Sequence, residues 1–191
     1  VQARPKFRAS AGGIFPSFQT CADAARHIVQ SKLWPANCRV LDPGEAATAA
    51  SLDGKHALLV LGFESAEVSQ GTSMRAAVAI AREFKGLVDE DAIKITDAGD
   101  SEAGRQGAVG NWRDSFLRAP YNKNMTAGLG LVADTLETAI TWDRWPQLDT
   151  SVREAISEAL SRTCGGGNAT CRFTHVYPDG PAPYYTFEGL S

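Results

Sequence analysis

The stretch from Cys171 to Tyr185, CRFTHVYPDGPAPYY, has the highest density of reactive side chains in the sequence. Its first half alternates between unlike side chains, which predicts a β-strand with two different faces. One predicted face carries Cys171, Phe173 and His175, and the other carries Arg172, Thr174 and Val176.

A turn is predicted directly after this strand, at Pro178–Pro181. Proline presets φ and glycine tolerates a positive φ, so the sequence PDGP favours a tight reversal of the chain. A second strand, Tyr184–Phe187, is then expected to return beside the first. Such a hairpin brings a guanidinium, an imidazole and several phenols close together. The alternative is an ordinary polar hairpin whose tyrosines pack on a sheet.

Length and composition limit the class of protein. A chain of 191 residues suits one domain, and an apolar fraction of 43% supplies enough side chains for a core. The net charge is −3 and there is no basic block, so nucleic acid is not an expected partner. The sequence has no apolar run approaching the ~18–20 residues of a membrane span. The N-terminus lacks a signal peptide, and the chain starts at Val1 without Met, which suggests a fragment of a longer protein.

The cysteines and histidines do not form a metal-binding pattern. No C-x-x-C pair occurs, and the three histidines are not spaced with the cysteines as metal ligands are, so no metal site is predicted. Cys164 and Cys171 flank a glycine-rich turn and could approach one another. The preferred interpretation is free, partly buried thiols of a cytoplasmic protein.

Hydrophobic periodicity predicts alternating strands and helices. The expected strands are Phe7–Phe15, Asn37–Leu41, Ala57–Phe63, Gly128–Thr138, Cys171–Val176 and Tyr184–Phe187. The expected helices are Thr20–Gln30, Glu45–Ser51 with Asp42 as its N-cap, Val68–Phe84, Asn111–Leu117 and Trp145–Leu160. Acidic residues and glycines at 89–110 indicate a flexible loop. This order predicts an α+β fold of duplicated, ferredoxin-like strand–helix units, with an antiparallel sheet and helices mainly on one face.

Three stretches together resemble the C-terminal cap domain of FAD-linked oxidases. The branch they resemble is that of alkyldihydroxyacetonephosphate synthase (alkylglycerone-phosphate synthase), in the vanillyl-alcohol oxidase superfamily. They are PANCRVLD at 35–42, RAPY at 118–121 with DTLETAITWDR at 134–144, and CRFTHVYPDG at 171–180. The resemblance covers nearly the whole chain. It implies that residues 1–191 form a single substrate-binding cap domain of a longer FAD-dependent enzyme.

The resemblance also implies a cofactor and a reaction. FAD would be bound mainly by another domain of the same polypeptide, so the isolated chain should bind FAD poorly and be inactive. In the synthase, an acyl chain on dihydroxyacetone phosphate is exchanged for a fatty alcohol, and the flavin is not a net redox carrier. Such chemistry requires a base, cations for the phosphate and the leaving carboxylate, and an apolar channel for the chain.

Roles for two motif residues follow from the resemblance. Tyr184 corresponds to the tyrosine proposed as the catalytic base, and a phenol needs a neighbouring cation or the field of the flavin to act in that way. Arg39 corresponds to the arginine that supports the active site and is taken as substrate-binding. The alternative for Arg39 is a structural salt bridge to Asp42 or Glu45.

The remaining candidates are three cations and an imidazole. Lys123 stands where the family pattern has a substrate-binding arginine, and lysine lacks the bidentate fork of that residue. Arg118 nearby could compensate, and Arg172 is a further substrate-binding candidate. His175 is taken as facing the cofactor, although a lone histidine in a strand is commonly structural.

Two other functions remain open from the sequence. The first is the cap of an FAD-dependent 2-hydroxy-acid dehydrogenase, of the D-lactate or glycolate type. The second is a non-catalytic, ferredoxin-like ligand-binding module. We expect a small-molecule or lipid-phosphate substrate and a cytoplasmic protein, with a peripheral position at a membrane surface as the alternative. The sequence leaves a homodimer open.

Overall fold

The computed structural model describes residues 5–97, 128 and 130–190. Within these ranges seven strands form one antiparallel sheet, and four α-helices pack on it. The strands are β1 (Phe7–Phe15), β2 (Asn37–Leu41), β3 (Ala57–Ser65), β4 (Lys94–Thr96), β5 (Leu131–Glu137), β6 (Asn168–Val176) and β7 (Pro181–Leu190). The helices are α1 (Phe18–Gln30), α2 (Pro43–Ala50), α3 (Gly71–Glu83) and α4 (Trp145–Cys164).

The strand order, β4-β1-β3-β2-β6-β7-β5, divides the sheet into two halves. The first half, β4-β1-β3-β2, has the strand order of a ferredoxin-like unit. The second half repeats the start of that pattern, because α4 links β5 to β6 and β7 lies between these two strands. The halves meet at β2 and β6, which share two residue pairs, Val40 with Phe173 and Leu41 with Arg172. The predicted α+β, ferredoxin-like class is confirmed.

Three helices cover one face of the sheet, and the main core lies beneath them. The side chains of α1 and α3 pack with alternate residues of β1, β2 and β3, and α4 packs on Cys171 and Tyr185. Trp142 and Trp145 are buried in this layer. Only α2 covers the other face in the described part of the chain, over Leu41, Leu58 and Val60. Strand β3 is continuously apolar because it is buried on both faces.

Local sequence signals set the helix ends. Ser17 caps α1 by accepting a hydrogen bond from the Thr20 amide, at 3.2 Å. Pro43 occupies the first turn of α2, where its missing N–H costs nothing. Gly165 ends α4 in the left-handed region, at φ 71°, which glycine adopts without strain.

The carboxylate of Asp42 joins three parts of the fold. Its Oδ1 accepts the Glu45 amide at 2.8 Å, which caps α2 as the sequence predicted. Its Oδ2 accepts the Cys171 amide of β6 at 2.7 Å and the Arg153 Nη2 of α4 at 2.8 Å. Asp42 is only 4% exposed, so its charge depends on these donors rather than on water.

Arg153 extends this network along α4. Its Nε donates to both oxygens of Asp149 at 3.0 Å, and its Nη1 donates to the Ala169 carbonyl at 3.1 Å. The Tyr185 hydroxyl donates to Asp149 Oδ1 at 3.0 Å. Burial by itself would lower the pKa of Arg153, but the Asp149 and Asp42 carboxylates raise that pKa well above its usual value. Helix α4 is therefore held to β6 and β7 by charge as well as by apolar packing.

Part of the predicted loop at 89–110 is ordered into secondary structure. Glu90–Ala92 form a 3-10 turn, and β4 pairs with β1 at Arg8–Ser10. Ile93 and Ile95 cause this, because they pack against the main core and draw the segment onto the sheet. Residues 98–110 of the loop and the helix predicted at Asn111–Leu117 lie outside the described residues.

All four cysteines are free thiols, and three of them are buried. Burial raises the pKa of the Cys38 thiol to about 12, and it raises the pKa of Cys21 and Cys171 as well. In the described ranges, no helix combines the length and the apolar character needed to cross a membrane.

Asp42→Ala should destabilise the protein by about 2–5 kcal/mol, because it removes the cap of α2 and leaves the buried Cys171 amide without its acceptor. Arg153 Nη2 also loses its partner, while Arg153 keeps Asp149 and the Ala169 carbonyl. Urea denaturation followed by circular dichroism measures the change. Asp53→Ala is the matched control, because Asp53 binds His56 on the surface, and little change is expected there. Equal stability of the two variants would contradict this role for Asp42.

Gly180→Ala should destabilise the turn between β6 and β7 by about 1–3 kcal/mol, as overpacking of a closed site does. A Cβ at Gly180 would lie 1.8 Å from the Ile140 carbonyl oxygen, and that oxygen belongs to the backbone. Gly128→Ala is the control, because a Cβ there meets no described residue within 4 Å. Thermal unfolding of both variants decides the matter, and a Gly180→Ala protein as stable as the control would disprove the tight contact.

Candidate functional site

The face of the sheet opposite α1, α3 and α4 carries the candidate site, and we call it the open face. Antiparallel pairing aligns residues of neighbouring strands into one row across it: Leu41 of β2, Arg172 of β6, Tyr184 of β7 and Glu137 of β5. Residues directly opposite one another lie on the same face, with Cβ atoms about 4.5–5.5 Å apart. Helix α2 covers the Leu41 end of the row, so the charged and phenolic part remains partly accessible.

Arg172 and Tyr184 form a close pair in this row. The Arg172 guanidinium carbon lies 4.2 Å from the centroid of the Tyr184 ring, within the range of a cation–π interaction. Arg172 Nη1 also donates to the Glu45 carboxylate of α2. Glu45 is buried, and its second oxygen accepts the Thr170 hydroxyl at 3.1 Å. Glu45 therefore fixes the guanidinium over the ring.

Arg39 adds a second guanidinium to the open face. Arg39 lies two residues before Leu41 on β2, so both side chains are on the same face of the sheet. Its Nε donates to Asn37 Oδ1 at 3.2 Å. Burial lowers the pKa of Arg39, and the positive charge of Arg172 lowers it further. The two guanidiniums are therefore close enough for their charges to interact, while Arg172 is paired with Glu45. Asp42 and Glu45, which the sequence offered as partners of Arg39, bind Arg153 and Arg172.

The expected face of His175 was wrong, and a β-bulge is the reason. Phe173 pairs with Pro183, but His175 pairs with Ala182, so Thr174 is an extra residue in β6. The extra residue reverses the alternation beyond it. His175 therefore lies on the open face with Arg172, while Val176 packs against the main core beside Phe173.

A pocket of about 280 Å³ opens where β2 and β6 separate. Their pairing ends at Val40 and Phe173, next to the bulge. The pocket is lined by side chains from both strands and from the segments that flank them, including Trp34, Asn37, Arg39, Thr174, His175 and Tyr177. Trp34 is 71% exposed and Tyr177 is 51% exposed, so aromatic rings stand at the rim. The walls below them also include the apolar side chains of Val29, Cys38 and Val176. The His175 and Tyr177 rings are stacked, with centroids 6.2 Å apart.

The structure brings together four of the six candidates from the sequence. Tyr184, Arg39, Arg172 and His175 share the open face, whereas Arg118 and Lys123 lie outside the described residues. Among residues 5–97, 128 and 130–190, no three His, Cys, Asp or Glu side chains are grouped as metal ligands.

Two contacts of the site were not found from the sequence, that of Glu45 with Arg172 and that of Thr174 with Glu137. Glu45 follows Asp42 by three residues, which signals a helix start, but this spacing does not show that its side chain reaches Arg172. Glu137 and Thr174 were not among the site residues predicted from the sequence. The Thr174 hydroxyl contacts the Glu137 carboxylate across β7. A bulge of one residue leaves no reliable sequence signal unless glycine marks it.

Comparisons with known proteins agree with this architecture. Solved structures of alkyldihydroxyacetonephosphate synthase in two crystal forms superpose with TM-scores of 0.77 and 0.74, at 18% and 17% identity. The first match covers 100% of this chain and 37% of that protein, and the second covers 99% and 38%. A p-cresol methylhydroxylase with substrate bound gives a TM-score of 0.58 at 14% identity, covering 100% of this chain and 40% of that one.

These likenesses establish a shared fold, and the chain spans about two fifths or less of the length of each of these proteins. No curated protein matches the sequence. A family model described as "FAD linked oxidases, C-terminal domain" matches residues 4–190. The chain therefore belongs to the family of FAD-linked oxidase C-terminal domains.

Proposed function

We propose that the chain is the substrate-binding cap of an FAD-dependent enzyme of the alkylglycerone-phosphate synthase type. Such an enzyme exchanges an acyl for an alkyl group on dihydroxyacetone phosphate. The observation that carries the proposal is the placement of Tyr184 against Arg172, with Arg39 beside them, on the open face. A phenol and two guanidiniums are the base and the anion-binding groups that this chemistry requires.

The open face suits contact with FAD, which the rest of the protein would hold. Arg172 and Tyr184 are both partly exposed on this face, so a group outside this chain can approach them. His175 lies on the same face and is proposed to contact the cofactor. Bound FAD supplies a ring system that can accept electrons or bond to a substrate carbon.

Arg39 and Arg172 would bind the substrate phosphate, since both guanidiniums lie on the open face near Tyr184. Arginine suits this role because its planar fork matches phosphate oxygens. Lys123 and Arg118 are proposed as further cations for the same group. Tyr184 would accept the proton that leaves the substrate, with the Arg172 guanidinium lying over its ring.

One observation supports a second candidate function. The pocket between β2 and β6 has a volume of about 280 Å³ and contains Arg39, which suits a small carboxylate better than a long chain. A cap for a small 2-hydroxy acid, such as D-lactate or glycolate, is therefore the second candidate.

Flavin spectroscopy on the full-length protein separates the two candidates. Acyl-dihydroxyacetone phosphate should bleach the bound flavin and release fatty acid without consumption of oxygen. Bound flavin that ignores this lipid and is reduced by D-lactate or glycolate would support the hydroxy-acid function. A full-length protein that binds no flavin would overturn both.

Tyr184→Phe should lower kcat of the full-length enzyme by about 10²–10⁴-fold, the usual contribution of a general base, with flavin binding retained. Tyr185→Phe is the matched control, because Tyr185 is the next residue but lies on the helix-covered face and binds Asp149. This control should lose some stability and keep kcat. Similar kcat values for the two variants would exclude Tyr184 as the base.

A further inference from the structure

The bulge in β6 has two consequences at the site. It moves His175 onto the open face, because Thr174 is inserted between the pairs Phe173–Pro183 and His175–Ala182. It also coincides with the point where β6 leaves β2, since Val40–Phe173 is the last pair between these strands. Both the position of His175 and the pocket between the strands therefore depend on one extra residue.

The hydroxyl of Thr174 holds this bulge in place. It donates to the Glu137 carboxylate of β5, and it lies 3.3 Å from the Ala182 carbonyl of β7. A single side chain thus connects the three strands of the second half of the sheet. We call this arrangement, Thr174 with Glu137 and the Ala182 carbonyl, the Thr174 latch.

A regular strand is the competing state. Without the latch, no described side-chain hydrogen bond of Thr174 would oppose a change in the register of β6 against β7. A shift of one residue turns the side chains of a strand to the other face of the sheet. His175 would then leave the face that carries Arg172 and Tyr184. The pocket would narrow as β6 moved toward β2.

We propose that Glu137 and Thr174 are positioning residues that fix His175 on the open face and keep the pocket between β2 and β6 open. Glu137 acts through Thr174, and Thr174 acts through the bulge. The role in catalysis rests on the proposed function, whereas the placement of His175 does not.

Imidazole NMR of the ¹⁵N-labelled chain tests the latch without flavin or substrate. The chain has three histidines, and His27 and His56 serve as internal controls, because they bind Asp23 and Asp53 away from β6. Thr174→Val keeps the shape of the side chain and removes the hydroxyl. A second set of His175 signals should appear, from chains in which β6 is regular. The ratio of regular to bulged chains should rise about fivefold over that of the unchanged protein, the factor that corresponds to one net hydrogen bond.

Two further variants make the result specific. Thr174→Ser retains the hydroxyl and should restore the single His175 signal set. Glu137→Gln retains an acceptor without the charge, so it should give an intermediate ratio and serves if Thr174→Val does not fold. Unchanged His175 signals in Thr174→Val, or in Glu137→Gln if the valine variant is unfolded, would overturn the proposal.

Activity of the full-length enzyme provides the link to function. Thr174→Val should lower kcat/KM, and Thr174→Ser should recover it. If the His175 signals of Thr174→Val change but kcat/KM of the active full-length variant does not, the latch has no role in positioning the site. A full-length protein without flavin chemistry would overturn the proposed function, while the His175 spectra would still decide the latch.

Discussion

The buried carboxylate of Asp42 is the contact on which the two halves of the sheet depend. It stands at the junction of β2 and α2, and it binds both the β6 backbone at Cys171 and the guanidinium of Arg153 on α4. The strands β2 and β6 share only two residue pairs, so backbone pairing alone holds this junction weakly. The Asp42 carboxylate accepts three hydrogen bonds at this junction, and leaving a buried charge unpaired is costly. Any arrangement of β2 and β6 that breaks these bonds is therefore disfavoured.

The first turn of α2 connects this scaffold to the candidate site. Asp42 caps the helix and points its second oxygen toward α4, while Glu45, three residues later, binds Arg172 on the open face. Both carboxylates lie at the positive end of the helix dipole, where negative charge is favoured. The first turn of α2 therefore links the junction of β2 and β6 to the Arg172 guanidinium, which lies over the Tyr184 ring.

The candidate site lies at the seam between two similar units. Each half buries one sheet face under helices, and the opposite face remains partly open beyond α2. Pairing across the seam ends after Phe173, and the pocket forms in the gap. Binding pockets commonly occur at junctions between structural units, because backbone pairing and core packing are both incomplete there. The duplication therefore provides both a rigid support and a place for a ligand.

The sequence by itself determined the elements and the class of fold. Apolar runs and helical spacing located six of the seven described strands and all four described helices, because burial imposes periods of 2 and 3.6 residues. Strand β4 was missed, since it lies in the predicted loop at 89–110. Strand Asn37–Leu41 and the Asp42 cap of α2 were predicted at the residues where they occur. The motifs also identified Tyr184, Arg39, Arg172 and His175 as candidates.

Only the tertiary structure decided how those candidates meet. Glu45 and Arg172 are far apart in the chain, and nothing local to either residue specifies their contact. The face of His175 was predicted wrongly, because alternation holds only while a strand is regular and the bulge at Thr174 breaks it. Periodicity records the burial of each residue along its own strand. The register between strands, which sets the row of Arg172, Tyr184 and Glu137, depends on packing across the whole sheet.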